Sequence, residues 1–259
     1  SVYLAIIGFL TLYPLYTLYK KESTDPFLSI ILLMNMSVFV MVFSGLRQSL
    51  AIAISILAFR CVKRKKLFAF LITTWLAMAF HRSAFVLLLM YPLYHFKITK
   101  KWLWFVTPSL LAVFAFNKPL FSFFTNFLGP TYIERYSEIQ ETGSYTMILL
   151  FALFLIFSYV MVDDKTLDAH TIGLRNFMLL ILAIQFFAPI QSIAMRMNYY
   201  FLIYIPLLIP RIIENSKPDL CFLAKTARTV IICFFSVYFF YNAYFGADVL
   251  QVFPYQFYW

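Results

Sequence analysis

The chain has 259 residues, of which 63% are hydrophobic, 21% are aromatic and only 12% are charged. A soluble domain carries about 25% charged residues, so this composition excludes a soluble fold and favours one that uses lipid as the solvent for its apolar faces. The net charge of +10 would suit nucleic acid, but the basic residues form short clusters between apolar runs, and we expect no nucleic-acid partner.

Ten apolar stretches follow one another, covering residues 2–19, 27–44, 46–62, 67–80, 83–96, 102–116, 145–162, 174–191, 197–210 and 229–245. Each stretch is continuous rather than alternating, which predicts helices and not strands. Spanning hydrocarbon takes about 20 helical residues, so 67–80 and 83–96 are two thin spans or one broken, partly re-entrant hairpin. The predicted fold is an all-α, polytopic integral membrane helix bundle of about ten transmembrane or partly re-entrant helices, forming one domain over residues 1–259.

The lysines and arginines in the connections predict which helix ends face the cytoplasm. With the basic cluster 63–66 placed inside, sixteen of the 21 basic residues fall on the cytoplasmic side. The basic residues left outside are Arg47, Arg82, Lys118, Arg135 and Arg196. The opposite orientation would invert this bias, so we predict that these five face the outer side.

The longest connection, residues 117–144, lies on the outer side and contains aromatic residues beside charges of both signs. Extended loops in compact proteins are often functional, so we expect a short interfacial helix or a lid there. Glu134, Glu138 and Glu141 stand at helical spacing within it. That spacing favours a solvated face, although one of the three could serve as a base.

Two of the outer arginines have almost no polar linker around them. Arg47 directly follows the run FSGL, and Arg196 stands within QSIAMRMNYYF. A charge at the bilayer centre costs about 2.5 to 3.5 kcal/mol on insertion scales, which makes such residues functional candidates. The alternative is snorkelling, in which an interfacial arginine reaches the lipid phosphates.

His81 and Arg82 interrupt an apolar run, and Ser83 is predicted to cap the helix that follows. A lone histidine is more often structural than catalytic, but this one stands beside an arginine and titrates near neutrality, which leaves both roles open. Arg47 and Arg196 share the predicted outer side with this pair. Guanidinium groups fixed at a membrane face suit bidentate binding of phosphate or carboxylate, above all of a diphosphate.

Other chemistry has little support in the sequence, which contains no Gly-rich phosphate loop, nucleophile elbow or HExxH zinc helix. The chain has three cysteines, and none has the close pairing of a metal site or a disulfide framework. They are Cys61, Cys221 and Cys233. We therefore expect no metal, no cofactor and no disulfide bridge. The acidic residues Asp163, Asp164 and Asp168 lie beside Lys165 on the cytoplasmic side, where a solvated loop is the favoured interpretation.

Three short motifs occur in order: FSGLRQSLA at 43–51, LAMAFHRSA at 76–84 after a basic turn, and RMNYYF at 196–201. In these motifs the chain resembles the EpsG family of Wzy-type polysaccharide polymerases. The similarity runs over most of the chain, although the other helices match only in hydropathy. Family members usually begin with further helices and an outer loop bearing Arg, Asp and Tyr, so we expect the chain to be truncated at its N-terminus.

The resemblance implies a GT-C-like membrane enzyme of exopolysaccharide, capsule or O-antigen synthesis. It implies that a growing glycan passes from a polyprenyl diphosphate carrier to another lipid-linked repeat unit, outside the bacterial cytoplasmic membrane and without a metal. The implied partners are this lipid-linked oligosaccharide, membrane lipid and other polysaccharide export or chain-length proteins. The catalytic candidates are His81 and Glu134, either of which would accept the proton of the attacking hydroxyl. The candidates for diphosphate binding are Arg47, Arg196, Arg82, Gln48, Arg135, Tyr199 and Tyr200.

Two other functions stay open at this point. A flippase or transporter of lipid-linked oligosaccharide would use the same arginines but also polar residues in mid-span, which are sparse and best represented by Gln185 and Asn35. A membrane acyltransferase that modifies the polymer would have a membrane histidine at its centre. The arginines argue against the acyltransferase only weakly.

Overall fold

A computed structural model describes residues 2–128, 145–191 and 193–245, and every secondary-structure element in these ranges is helical. The first elements are α1 (Val2–Glu22), α2 (Pro26–Asn35), α3 (Ser37–Ser44), α4 (Leu46–Lys63), α5 (Leu67–Phe80), a 3₁₀ helix (Arg82–Leu89) and α6 (Met90–His95). They are followed by a 3₁₀ turn (Lys100–Trp102), α7 (Leu103–Ala115), α8 (Asn117–Leu128), α9 (Tyr145–Val160), α10 (Ala169–Gln185), α11 (Ile193–Leu202), α12 (Ile205–Glu214), a 3₁₀ turn (Pro218–Leu220) and α13 (Cys221–Phe245). The prediction of an all-helical bundle is thus confirmed for the described part of the chain.

Several predicted stretches are divided in the structure. The stretch 27–44 breaks at Met36, whose extended backbone (φ −82°, ψ 138°) separates α2 from α3. The stretch 197–210 divides between α11 and α12, where Pro206 stands in the first turn of α12 and lacks the N–H that would continue the preceding helix. Continuous hydropathy therefore does not mean a continuous helix in this chain.

Helix α10 begins at Ala169 rather than at residue 174, because the Asp168 carboxylate caps it by accepting a hydrogen bond from the Thr171 backbone N–H at 2.9 Å. With this start, Arg175 lies in the second turn of the helix, and its side chain is fully buried. Its Nη2 donates to Asp164 Oδ1 at 2.7 Å, and its guanidinium lies 3.9 Å from the centre of the Tyr159 ring. The expectation of a solvated acidic loop is therefore wrong for Asp164, because this carboxylate pairs with a buried cation.

The core is centred on α10 and α12, whose side chains are almost all buried, and on one face of α4. Helix α10 also packs closely against α6 at Gly173. A Cβ at this position would lie 2.5 Å from Cδ2 and 2.9 Å from the carbonyl oxygen of Tyr94. Only glycine allows the two helices to approach this closely without displacing the backbone of α6.

Several ion pairs gather at one end of the bundle. We call this end the ion-paired end, where the C-termini of α1, α4 and α12 meet. There Glu22 pairs with Lys63 and its carbonyl accepts from Arg211 Nη2 at 3.0 Å. Helix α4 has 18 residues, so its other end, which carries Arg47, lies about 27 Å away.

Within the described ranges, helix length supports membrane crossing at one place, and at a second only when two helices are taken together. The helical segment Pro218–Phe245 has 28 residues and is long and apolar enough to cross a membrane. The helices Lys100–Ala115 and Asn117–Phe123 are long and apolar enough only when they are taken together, and they are bent by 77° relative to each other. The predicted ten spans are not confirmed by helix length. The start of the predicted outer loop 117–144 forms α8, and residues 129–144 lie outside the described ranges.

Candidate functional site

Arg47 is placed by a very short turn between α3 and α4. Gly45 alone joins the two helices, and its backbone N–H donates to the Met41 carbonyl at 2.8 Å. Ser49 tightens the turn, since its Oγ donates to the carbonyls of Met41 at 3.2 Å and Gly45 at 3.1 Å. The first turn of α4 therefore presents Arg47 at the exposed end of the bundle, while the next side chain, Gln48, is only 2% exposed.

His81 ends α5 in an extended conformation (φ −150°, ψ 118°), with its backbone N–H bonded to the Ala77 carbonyl at 3.0 Å. The prediction that Ser83 caps the following helix is wrong, because His81 holds the cap position and makes no side-chain cap bond. Instead Ser83 Oγ lies 2.7 Å from His81 Nδ1. The serine hydroxyl thus contacts the imidazole rather than the helix N-terminus.

Helix α11 contributes the third segment of the site. Arg196 is exposed on it, Tyr199 is half-buried, and Tyr200 is fully buried. Because residues four apart share one face of a helix, Tyr200 lies one turn behind Arg196 on the same side. The helix therefore presents a cation at the surface and a phenol directly beneath it.

Two hydrogen bonds join these three segments. Gln48 Nε2 donates to the Arg196 carbonyl at 2.6 Å, across 148 residues of sequence. Ser83 Oγ donates to Tyr200 Oη at 3.3 Å, across 117 residues. Helix α11 accordingly packs against α3, α4 and the 3₁₀ helix Arg82–Leu89. The motifs at 43–51, 76–84 and 196–201 thus meet at one end of the bundle.

The pKa of His81 reflects its partial burial and the charges of two site arginines. Partial burial lowers the pKa of His81 below its ordinary 6.5, and the positive charges of Arg196 and Arg47 lower this pKa further. The imidazole is therefore neutral near pH 7 and able to accept a proton. A neutral base beside two guanidinium groups suits a reaction in which a proton leaves one oxygen while negative charge develops on another.

A model of the EpsG family matches residues 1–257, which is almost the whole chain. The chain belongs to the EpsG family. No curated protein and no solved structure matches it. Membership of the EpsG family indicates a membrane-associated protein of the polysaccharide-polymerase type, with a glycosyltransferase-like role.

The other predicted residues of this EpsG protein occupy different positions around the site. Arg82 is exposed directly after His81, and Tyr199 packs partly against the core. Gln48 is only 2% exposed, and its Oε1 is buried without a hydrogen-bond partner among the described residues. Glu134 and Arg135 lie outside the described residues.

Tyr200 requires a correction to its predicted role. A phenol with no exposed surface cannot contact a ligand that enters from outside, so direct substrate binding by Tyr200 does not fit its position. Its hydroxyl instead accepts a hydrogen bond from Ser83, which in turn contacts His81. Sequence reasoning missed this contact because Ser83 and Tyr200 are far apart in the chain and serine has a common local use as a helix cap.

Proposed function

We propose that this EpsG protein is a polysaccharide polymerase of exopolysaccharide, capsule or O-antigen synthesis. It would transfer a polyprenyl-diphosphate-linked glycan onto a lipid-linked repeat unit at the outer face of the cytoplasmic membrane. The observation that carries the proposal is the meeting of Arg47, His81 and Arg196 at one end of the bundle, with the guanidinium charges acting on the imidazole. Cations and a neutral base are the groups that glycosyl transfer from a diphosphate needs.

The arginines would act on the leaving group. When the anomeric carbon–oxygen bond of the donor breaks, the diphosphate departs with the electron pair and gains negative charge. Arg47 and Arg196 would stabilise this charge by charge-assisted, bidentate hydrogen bonds, with Arg82 as a further cation. In other diphosphate chemistry a divalent cation stabilises this negative charge, and here the arginines would stabilise it.

His81 would act on the acceptor. The hydroxyl oxygen of the acceptor sugar forms the new bond to the anomeric carbon while its proton passes to the His81 imidazole. The products are the lengthened glycan on the acceptor lipid and a free polyprenyl diphosphate. Glu134 is the alternative base, and Arg135 would extend the diphosphate site.

The apolar surface of the bundle supports lateral entry of such a substrate. Large apolar side chains stand exposed on several helices, among them Trp104 at 81% and Tyr244 at 84%. Exposed apolar surface of this extent is characteristic of contact with lipid. The polyprenyl tail would remain in the bilayer while its diphosphate reaches Arg47 and Arg196 at the membrane surface.

The packing of the mid-chain amides favours a polymerase over a flippase. Gln185 Oε1 accepts a hydrogen bond from Asn198 Nδ2 at 3.2 Å, and Asn35 Nδ2 donates to the Ile31 carbonyl at 2.8 Å. Each residue thus has a hydrogen-bond partner inside the protein, which gives no sign of a polar path across the bundle. No comparable observation favours an acyltransferase.

The experiment supplies purified protein in liposomes with polyprenyl-diphosphate-linked repeat units and separates the products by length. A ladder of products lengthened by whole repeat units is the expected result. Movement of the substrate across the bilayer without lengthening would show a flippase instead. A product formed only when an acyl donor is added would show an acyltransferase.

A further inference from the structure

The direction of the hydrogen bond between His81 and Ser83 follows from a second hydrogen bond, which Ser83 makes to Tyr200. Ser83 Oγ lies 2.7 Å from His81 Nδ1 and donates its own hydrogen to Tyr200 Oη at 3.3 Å. A hydroxyl has one hydrogen and two lone pairs. Once Ser83 donates to Tyr200, it can only accept from the imidazole, so the proton of the neutral ring lies on Nδ1.

We infer that Ser83 and Tyr200 are positioning residues that hold neutral His81 in the tautomer with its lone pair on Nε2. The inference rests on the proposed function for its kinetic consequence, but the tautomer itself is a property of the resting protein. Neither side chain is required to touch the substrate. Ser83 acts through the imidazole, and Tyr200 acts through Ser83.

The burial of the three groups supports this order. Tyr200 has no exposed surface, Ser83 is half-buried, and His81 is half-buried at the surface of the bundle. The chain of contacts thus runs from the core outward and ends on the ring. A buried phenol anchored in α11 fixes the serine, and the serine fixes the imidazole, as the partner on the second nitrogen fixes other functional histidines.

The lone pair on Nε2 is the atom that would receive the proton in glycosyl transfer. The acceptor hydroxyl oxygen bonds to the anomeric carbon, the bond from this carbon to the diphosphate oxygen breaks, and the hydroxyl proton passes to Nε2. The imidazole becomes a cation with a proton on each nitrogen. Its Nδ1–H bond to Ser83 is kept throughout, so no rearrangement is needed during the step.

The tautomer can be measured without polymerase activity. Magic-angle-spinning NMR of ¹⁵N-histidine protein in lipid, at a pH where the ring is neutral, distinguishes protonated from unprotonated ring nitrogens. The chain has only 3 histidines, and the signals missing from the His81→Gln spectrum belong to His81. We expect a protonated Nδ1 and an unprotonated Nε2 in the native protein. The reverse assignment would overturn the inference, because Ser83 would then donate to the ring.

Two substitutions test the roles of the supporting residues. Ser83→Ala removes the acceptor, and Tyr200→Phe frees the serine hydrogen to turn toward Nδ1, so each should move the proton of His81 toward Nε2. Tyr16→Phe, at an exposed tyrosine of α1, is the matched control and should leave the spectrum unchanged. An unaltered tautomer in both supporting variants would overturn the inference.

The kinetic readout separates positioning from simple loss of structure. Ser83→Ala should lower kcat at least about 10-fold with little change in KM, since a misplaced proton weakens the general base and not substrate binding. Ser83→Thr keeps the hydroxyl and should restore most of kcat. If Ser83→Ala retains full kcat while His81→Gln is inactive, the positioning role fails and the proposed function stands. If His81→Gln retains full activity, the base assignment in the proposed function fails, whatever tautomer the NMR shows.

Discussion

Gln48 ties the arginine-bearing ends of α4 and α11 together through its 2.6 Å bond to the Arg196 carbonyl. Gln48→Leu leaves this carbonyl without its partner and should lower the free energy of unfolding by about 1–3 kcal/mol. Chain extension should fall as well, because the backbone that carries Arg196 loses its attachment. Thermal unfolding of the purified protein and the length of its products measure the two effects.

Asn35→Leu is the control for the Gln48 substitution. Among the residues that the structure describes, its amide bonds only to the carbonyl of Ile31 in the same helix, so its removal breaks no described hydrogen bond between helices. Equal losses of stability and extension in both variants would contradict the role given to Gln48.

If His81 is the base, the activity should depend on pH with a definite sign. Burial and the charges of Arg196 and Arg47 place the pKa of His81 below 6.5, so the neutral base is present at pH 7 and disappears as the pH falls through that pKa. The value of kcat/KM should therefore be flat near neutrality and decline on the acid side. His81→Gln should lack this acid limb in any residual activity, and a profile that rises toward low pH would contradict a neutral histidine base.

Sequence alone makes Arg47, His81 and Arg196 candidates, because a charged or titratable residue in an apolar context is conspicuous. It did not identify the contact of Ser83 with Tyr200, since a serine hydroxyl has many possible partners. For the same reason the sequence places Tyr200 among the candidates for diphosphate binding. The burial of Tyr200, which argues against direct binding, depends on how α11 packs and is not visible in the motif RMNYYF.

At the scale of the helices, the close approach of α10 to α6 makes Gly173 a sensitive position. Gly173→Ala places a Cβ 2.9 Å from the carbonyl oxygen of Tyr94, so the backbone must shift, and we expect a loss of about 1–3 kcal/mol in stability. Gly8→Ala in α1 is the control, because nothing lies within 4 Å of the added Cβ. Thermal unfolding of both variants checks the expectation. Equal stability would contradict the packing of α6 on α10.

The helices themselves were only partly predictable from hydropathy. Stretches such as 46–62 and 67–80 agree with α4 and α5 within a residue or two, because the basic turn 63–66 separates them clearly. The break at Met36 has no glycine or proline beside it, and nothing in the local sequence marks it. Helix α10 starts early because Asp168 caps it, which is a local contact with the Thr171 N–H. The pairing of Asp164 with the buried Arg175 depends on how the helices pack and is not visible in the sequence.

At the scale of the whole molecule, α4 and the α11–α12 pair each run from the arginine site to the ion-paired end. If these ends face opposite sides of a membrane, position 82 is outside and position 66 is inside. With Cys61, Cys221 and Cys233 replaced by serine, Arg82→Cys should react with a membrane-impermeant maleimide in intact cells, whereas Lys66→Cys should react only after permeabilisation. Labelling of both positions from the same side would contradict the proposed topology.

The central claim is that arginines at one end of the bundle promote the release of a diphosphate during glycan polymerisation. Its most direct test is the product ladder formed from lipid-linked repeat units by the purified protein and by Arg47→Ala, Arg196→Ala and Arg64→Ala, each in equal amount. Arg64 is exposed just beyond the other end of α4 and is the matched control. We predict that Arg47→Ala and Arg196→Ala each lose roughly 100-fold or more in the rate of extension while Arg64→Ala keeps the native rate. Native rates in both site variants would contradict the account.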